Sequence, residues 1–333
     1  MYQTPLKSIK SLRILLSPLN WGLGHVCRTL PIIQTLLDQD NEIIICCDEA
    51  QENFYRMYFP ELWYVPHSGY PFRFKGKGNW TLDVLSSFSS LNHHLVEEKR
   101  RVQKLVEMFN PDLIISDQRF GFVSKKIKSV VISHQLNLPV PKWNIIAKFW
   151  NRQLLSAFDE VWIPDTADQK YSGILSNGKH KVKKFIGISS RFCNNGNENN
   201  TSKTKRYDFL GIVSGPPPYN AQFLQMLIEK LTHSTAVSAI VAPMSLVKNN
   251  SKLKGVTLIC SPNHEEFQAL MKGSKVVISR SGYSTIMDLV ETKNESILIP
   301  TPGQAEQLYL AGLHKNHASW TFKTEEEFKK MKI

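Results

Sequence analysis

The tightest constraint on this chain is that short apolar runs alternate with amphipathic stretches, and do so in two separate series. In the first series the apolar runs are residues 12–17, 42–47, 62–65, 112–116, 129–133 and 159–163. Segments with helical spacing lie between them: 26–37, with Val26, Leu30, Ile33 and Leu37 on one face, then about 49–59 and about 82–109. Runs this short and this apolar predict strands buried on both faces, and strands separated by helices pair in parallel. The second series predicts strands at 207–213, 236–242, 257–261, 276–279 and 297–300, with helices at 221–231, 265–271, 284–291 and 306–315 and a charged helix at 324–332. Between the two lies Asn-Asn-Gly-Asn-Glu-Asn-Asn-Thr-Ser (194–202), which has nothing to bury and reads as a linker or exposed loop spanning 191–206. The expectation is an α/β protein of two domains, 1–190 and 207–333, each a helix-covered parallel sheet. A length of 333 residues suits two such cores.

Lys and Arg number 41 against 29 Asp and Glu, a formal charge of +12, which favours an anionic partner. The surplus falls on both domains and forms no polybasic block interleaved with aromatics, so nucleic acid is not the expected partner. No apolar stretch is long enough to span a bilayer, and 14–16 is too short for a signal-peptide core. Five cysteines (Cys27, Cys46, Cys47, Cys193, Cys260) include no C-x-x-C pair, and two sit in an apolar strand. Reduced core cysteines and a cytoplasmic location are expected.

Ligands in parallel α/β sheets bind beyond the carboxyl ends of the strands. The first such loop, Asn20-Trp21-Gly22-Leu23-Gly24-His25-Val26-Cys27-Arg28, opens a helix. It imitates the dinucleotide fingerprint G-x-G-x-x-G, with Asp48 after the second strand as a ribose-binding acid, but Cys27 stands where the third glycine belongs. A nicotinamide enzyme is thereby demoted. His25 in the first helical turn meets the positive end of the helix, which favours the neutral imidazole a general base needs.

The second loop, Val276-Val277-Ile278-Ser279-Arg280-Ser281-Gly282-Tyr283-Ser284-Thr285-Ile286-Met287-Asp288, is a strand, a Ser-Gly turn and a helix start with Ser and Thr in capping positions. That end of a helix can hold a phosphate or diphosphate. Asp288 shares a helix face with Ser284, where it can take hydrogen bonds from a ribose. Gln304, Glu306 and Gln307 open the next helix with polar side chains.

At these segments the chain resembles the GT-B glycosyltransferases, specifically the family 28, MurG-like branch that uses UDP-N-acetylglucosamine. The residues that carry the resemblance are Gly22-Leu23-Gly24-His25, then Arg280-Ser281-Gly282, Thr285 and Asp288, then Gln304, Glu306 and Gln307. It implies two Rossmann-like domains whose parallel sheets face each other across a cleft, the N-terminal domain binding the acceptor and the C-terminal domain the donor. It implies His25 as the base or an acceptor-side catalytic residue, and Gly282, Tyr283, Ser284 and Thr285 around the donor diphosphate. Asp288 stands where the family has a ribose-binding Glu, and Gln307 where it has a donor-sugar Gln. The reaction implied is inverting and metal-independent. The leaving diphosphate is met by the helix end and by Arg280, and the sugar passes to a glycan or lipid-linked hydroxyl. No cofactor is implied. The chain departs from the family at Ser214-Gly215-Pro216-Pro217-Pro218, where three prolines remove three N–H donors from the corresponding Gly-rich loop. A hydrolysing sugar-nucleotide epimerase and a non-catalytic nucleotide-sugar-binding protein are the rival readings.

Gly22, Gly24, Arg28, Asp117, Arg119 and His134 also lie at carboxyl ends of predicted strands and are candidates for the acceptor side. Asp38-Gln39-Asp40 is a D-x-D at a helix end, read as solvated, and the adjacent His93 and His94 diverge too far to share a metal. In 142–152, Trp143, Ile146 and Trp150 share a helical face flanked by Lys142, Lys148 and Arg152. That face suits either packing on the sheet or peripheral contact with the inner face of a membrane.

Overall fold

The computed structural model describes residues 4–70, 76, 88–139, 145–193 and 206–333. Three expectations fall outside them: most of the linker, the 82–87 start of the long helix, and Lys142 with Trp143. The chain divides into two compact units, with the break between Cys193 and residue 194.

The first unit holds β1 (Arg13–Pro18), β2 (Glu42–Cys47), β3 (Trp63–Pro66), β4 (Leu113–Asp117), β5 (Lys128–Ile132), β6 (Glu160–Ile163) and β7 (Lys183–Phe185). They pair in parallel in the order β3-β2-β1-β4-β5-β6-β7. Helices α1 (Thr4–Lys7), α2 (Leu23–Leu37), α3 (Glu49–Arg56), α4 (Phe88–Phe109) and α5 (Ile145–Ser156) complete it. The pleat explains why these strands have no polar face. Ile14 and Leu16 of β1 pack with Val26, Ile33 and Leu36 of α2, while Leu15 between them packs with Val102, Leu105 and Val106 of α4. A sheet covered on both sides cannot alternate apolar with polar.

The second unit holds β8 (Tyr207–Ile212), α6 (Tyr219–Leu231), β9 (Ser238–Ala242), β10 (Ser251–Leu253), β11 (Val256–Cys260) and α7 (His264–Lys272). It continues through β12 (Ser274–Ser279), α8 (Tyr283–Thr292), β13 (Glu295–Leu298), α9 (Ala305–Leu313), β14 (Trp320–Phe322) and α10 (Glu325–Lys330). The sheet order is β10-β11-β9-β8-β12-β13-β14, parallel except for β10, which folds back on β11.

In both sheets the strand order reverses around the first strand, with β1 beside β4 and β8 beside β12. A crevice opens at the carboxyl edge at that point, because the helices after the two neighbouring strands leave on opposite faces. The first glycine loop follows β1 and the second follows β12. Both sequence motifs therefore sit at the reversal point of their own sheet.

Two imitations of functional motifs resolve into local structure. Asp48 caps α3 in a reciprocal capping box with Gln51, so it is a helix cap in place of a ribose ligand. Asp38 is the C-cap of α2, at the solvated helix end expected for it. The described part of 142–152 exposes Ile145, Ile146 and Phe149 on α5, while Asn151 and Leu155 are buried.

Trp162 on β6 is fully enclosed in the first core, whereas Ile146 is 74% exposed. Trp162→Ala should cost about 3–5 kcal/mol in urea denaturation through lost contacts and a residual cavity. Ile146→Ala should change stability by less than about 0.5 kcal/mol.

Candidate active site

Gly22 is the N-cap of α2 and takes φ 83°, ψ 178°, a conformation open to glycine and closed to side-chain-bearing residues. It turns the chain off β1 so that Gly24 and His25 fall in the first turn of α2. The neighbouring strand β4 ends at Asp117, opposite Pro18 in the ladder. Gln118 then reverses the chain in a left-handed conformation, φ 55°, and its amide donates to Ser133 Oγ at 3.2 Å. The two strand ends thus bring together side chains 92 positions apart.

His25 Nδ1 lies 3.0 Å from Asp117 Oδ2. Arg28, one helical turn on, closes a fork on the same carboxylate. Its Nε donates to Oδ2 at 3.0 Å and its Nη2 donates to Oδ1. Arg28 Nη2 is also 2.8 Å from His25 Nδ1, and Arg28 Nη1 is 3.5 Å from His134 Nδ1. The Ser189 hydroxyl, from the segment after β7, donates to the Arg28 carbonyl. Asp117 has no exposed surface, and Arg28 and His134 are nearly as enclosed, while the His25 side chain keeps 14% exposure. Only His25 of this group reaches solvent. Burial pushes the Asp117 carboxyl up, but Arg28 and His25 more than offset it and hold the group below the usual carboxylate range. Burial and the Arg28 charge lower His25 below the ordinary imidazole value, against the pull of Asp117.

Asp117 was expected on the acceptor side. Its burial makes it the partner of His25 instead. Arg28 and His134 sit behind the imidazole in the same way. Arg119 is also enclosed, in a second cluster that the sequence reading missed. Its Nε donates to Glu98 Oε1 at 2.7 Å and its Nη2 donates to the Ser68 carbonyl at 2.6 Å. His67, immediately after β3, places Nε2 3.1 Å from the same Glu98 oxygen. Asn20 Oδ1 accepts from the Tyr70 N–H at 3.0 Å, which ties residues 67–70 to the first glycine loop. Arg119 is therefore a brace and not an acceptor contact. His67 obeys the carboxyl-end rule that selected His134 and could have been chosen by it. Glu98, midway along α4, carried no such signal.

In the second unit Arg280 departs from expectation. It is 3% exposed, its Nη2 pairs with Glu325 Oε1 at 2.7 Å, and its Nη1 faces the Ile299 and Pro300 carbonyls. Its guanidinium stacks 4.2 Å from the centroid of Phe223. Arg280 clamps α10 and α6 to the end of β12, so the charge assigned to the leaving group is already neutralised. Tyr283 is likewise a core residue, and Ser281 and Asp288 are buried. The expected Ser/Thr cap is absent: Gly282 is the N-cap of α8 and supplies no side-chain hydrogen bond. Ser284 and Thr285 lie in the first turn, partly exposed, as do Gln304 and Glu306 at the start of α9. Gln307 is buried, with its Oε1 accepting from the Thr301 N–H at 2.7 Å and its carbonyl accepting from Ser281 Oγ at 3.3 Å. The Ser-Gly turn and the Gln segment are therefore in contact.

Among the described residues no group of three His, Cys, Asp or Glu side chains could hold a metal ion. No described helix is long and apolar enough to cross a membrane.

Two units, each a parallel sheet that reverses about its first strand and presents a glycine loop at that point, define a GT-B protein. Residues 217–327 match the family model of the glycosyltransferase family 28 C-terminal domain. Spinosyn rhamnosyltransferase SpnG complexed with thymidine diphosphate superposes with a TM-score of 0.65 over 96% of this chain and 90% of that one, at 13% identity. MurG of Acinetobacter baumannii superposes at 0.50 over 94% and 86%, at 12% identity. A Bacillus cereus UDP-N-acetylglucosamine–N-acetylmuramyl-(pentapeptide) pyrophosphoryl-undecaprenol N-acetylglucosamine transferase is 22% identical over 72% of this chain, a match that spans 66% of its own length. An uncharacterised glycosyltransferase of Methanosarcina mazei is 23% identical over 89% of this chain and 82% of its own. Residues 217–327 thus carry the likeness to the glycosyltransferase family 28 C-terminal domain, and the chain as a whole has the GT-B fold.

The two buried imidazoles give a pH prediction. Burial lowers both His25 and His67, the latter against the pull of its Glu98 hydrogen bond. The unfolded chain takes up protons at these sites near pH 6.5 while the folded chain resists, so stability falls as pH drops through that value. Melting temperature should decline from pH 7.5 to 6, and His67→Gln, which keeps a donor for Glu98, should decline less. An equal decline would mean that His67 titrates alike in the folded and unfolded chains and that its burial does not hold it neutral.

Proposed function

We propose that this protein transfers a sugar from a UDP-sugar, N-acetylglucosamine being the first candidate, to a hydroxyl acceptor with inversion at the anomeric carbon. The observation that carries this reading is the His25 Nδ1–Asp117 contact at 3.0 Å, at the reversal point of the first sheet. In the tautomer with Nδ1–H turned to the carboxylate, the bare Nε2 is the ring atom that takes the acceptor's proton. The hydroxyl oxygen attacks the anomeric carbon as the bond to the diphosphate breaks, and the electron pair leaves with the diphosphate. One displacement inverts the centre. The imidazolium that results is stabilised by Asp117, whose buried carboxylate is held ionised by Arg28.

The donor is assigned to the start of α8. Gly282 takes φ −69°, which any residue can adopt, and a Cβ there would meet nothing closer than Gln307 Nε2 at 3.9 Å. Neither backbone nor packing requires a glycine at 282. Its missing side chain leaves room for a phosphate against the N-terminus of α8, whose dipole meets the leaving charge without a metal. Ser284 and Thr285 offer hydroxyls beside it, Gln304, Glu306 and the Gln307 amide flank the sugar, and Asp288 is the candidate for the ribose. The family 28 match includes this segment, and the Bacillus cereus relative is by its name a UDP-N-acetylglucosamine transferase.

The acceptor, a glycan or lipid-linked hydroxyl, is assigned to the first unit beside Gly22, Gly24 and His25. Exposed Ile145, Ile146 and Phe149, with Arg152 on the same helix, support a peripheral contact with an anionic membrane surface and a cytoplasmic site of action.

UDP should raise the melting temperature more than GDP, TDP or CMP at equal concentration. Absence of any UDP stabilisation would overturn the donor assignment. His25→Ala should keep the UDP shift and lose about 10²–10⁴-fold in transfer rate. Full transfer by that variant would remove His25 from the role of base.

A further inference from the structure

A ring nitrogen of a neutral imidazole either donates or accepts, never both. His25 Nδ1 faces two groups that make opposite demands on it. Asp117 Oδ2, at 3.0 Å, can only accept and calls for a proton on Nδ1. Arg28 Nη2, at 2.8 Å, can only donate and calls for a bare lone pair there. The fork settles the contest. Arg28 Nε donates to Oδ2 at 3.0 Å and one Nη2 hydrogen to Oδ1, so the carboxylate's charge is already matched by the guanidinium, although Oδ2 keeps a second lone pair. The second Nη2 hydrogen has His25 Nδ1 as its neighbour, one helical turn away.

We propose that Arg28 is a positioning residue that decides which imidazole nitrogen of His25 carries the proton. With the fork closed and Nη2 donating to Nδ1, the proton of neutral His25 sits on Nε2. Such a ring can donate to an acceptor hydroxyl but cannot take its proton. Moving Nη2 off Nδ1 lets Nδ1 bind a solvent proton and Nε2 release one, with no net change in charge. The Nδ1–H then donates to Asp117 Oδ2 and Nε2 is bare.

The charged and titratable groups that face His25 are Arg28 on its own helix, Asp117 at the end of β4 and His134 after β5. Of these, only Asp117 favours a second proton on the ring. Burial and the Arg28 charge oppose it, which keeps the ring neutral in either tautomer. The consequence for turnover rests on the reading of His25 as the base; the tautomer does not.

The test is the long-range ¹H–¹⁵N spectrum of the imidazoles in the full-length ¹⁵N-labelled protein, with His25 assigned by its loss in His25→Gln. Expected at pH 8 is a protonated Nε2 and a bare Nδ1 in the wild type. In Arg28→Lys and Arg28→Gln the proton should move to Nδ1 and the imidazole should titrate at higher pH. Protonated Nδ1 in the wild type would overturn the proposal, as would an unchanged tautomer in a folded Arg28 variant. If neither variant folds, the wild-type spectrum decides. In sugar transfer from UDP-N-acetylglucosamine, the acid limb of the kcat/KM profile should move to higher pH in Arg28→Lys. A protonated Nε2 without transfer from any donor would support the role of Arg28 and sink the transferase reading.

Discussion

The first unit depends on the Asp117 carboxylate, which ends β4 with no exposed surface. An ionised carboxylate out of water is strongly unfavourable unless both oxygens are paired, and removing one partner of such a pair typically costs several kcal/mol. Arg28 fills both oxygens and His25 approaches one. The pairing therefore fixes three things together: the rotation of α2 about its axis, the register of its first turn against β4, and the direction of the His25 ring. Gly22 permits the turn that starts this, and the Ser189 hydroxyl on the Arg28 carbonyl holds α2 from the side of the chain after β7.

The Glu98 cluster repeats the same physics between the ends of β3 and β4 and the middle of α4. Burial pushes Glu98 up, yet His67 and Arg119 hold it ionised. One oxygen takes both partners, while Glu98 Oε2 and Arg119 Nη1 remain buried without a protein partner. A Cβ on Gly121 would come within 2.3 Å of that oxygen. The space around the pair is thus closed by backbone, and Asn20 links it through Tyr70 to the first glycine loop. The same edge carries two buried carboxylates. One has an imidazole that reaches solvent; the other has an imidazole that does not.

Most of this fold was legible because buried parallel strands have to be short and apolar. β2 was expected at 42–47 and lies there, and every other expected strand overlaps the observed one. What escaped was β7, β10 and β14, three residues each and each at a sheet edge, where little side-chain burial is needed and no pattern results. The sites were legible as positions, not as roles. Residues after strands were found because topology puts function there. Whether a side chain faces solvent or its own fold depends on partners far away in sequence. Arg280 looked like a phosphate ligand because Glu325, 45 residues on, and Phe223 were invisible as its partners. Asp117 looked like an acceptor contact because nothing local in the sequence ties it to His25.

The two units use one topology with opposite electrostatics. At the reversal point of the first sheet a carboxylate is buried behind an imidazole that keeps some solvent exposure. At the reversal point of the second sheet a guanidinium is buried and cancelled by Glu325, leaving the uncharged start of α8 as the surface presented. On the proposed assignment of the donor to this segment, a fully charged Arg held against the diphosphate would bind the donor and the released nucleotide with similar strength. A helix end gives directed N–H dipoles that need no reorganisation as the leaving charge grows, and it holds the product less tightly than a salt bridge. The +12 of the whole chain is therefore a poor guide to the chemistry, because the arginines nearest the two loops are committed to carboxylates.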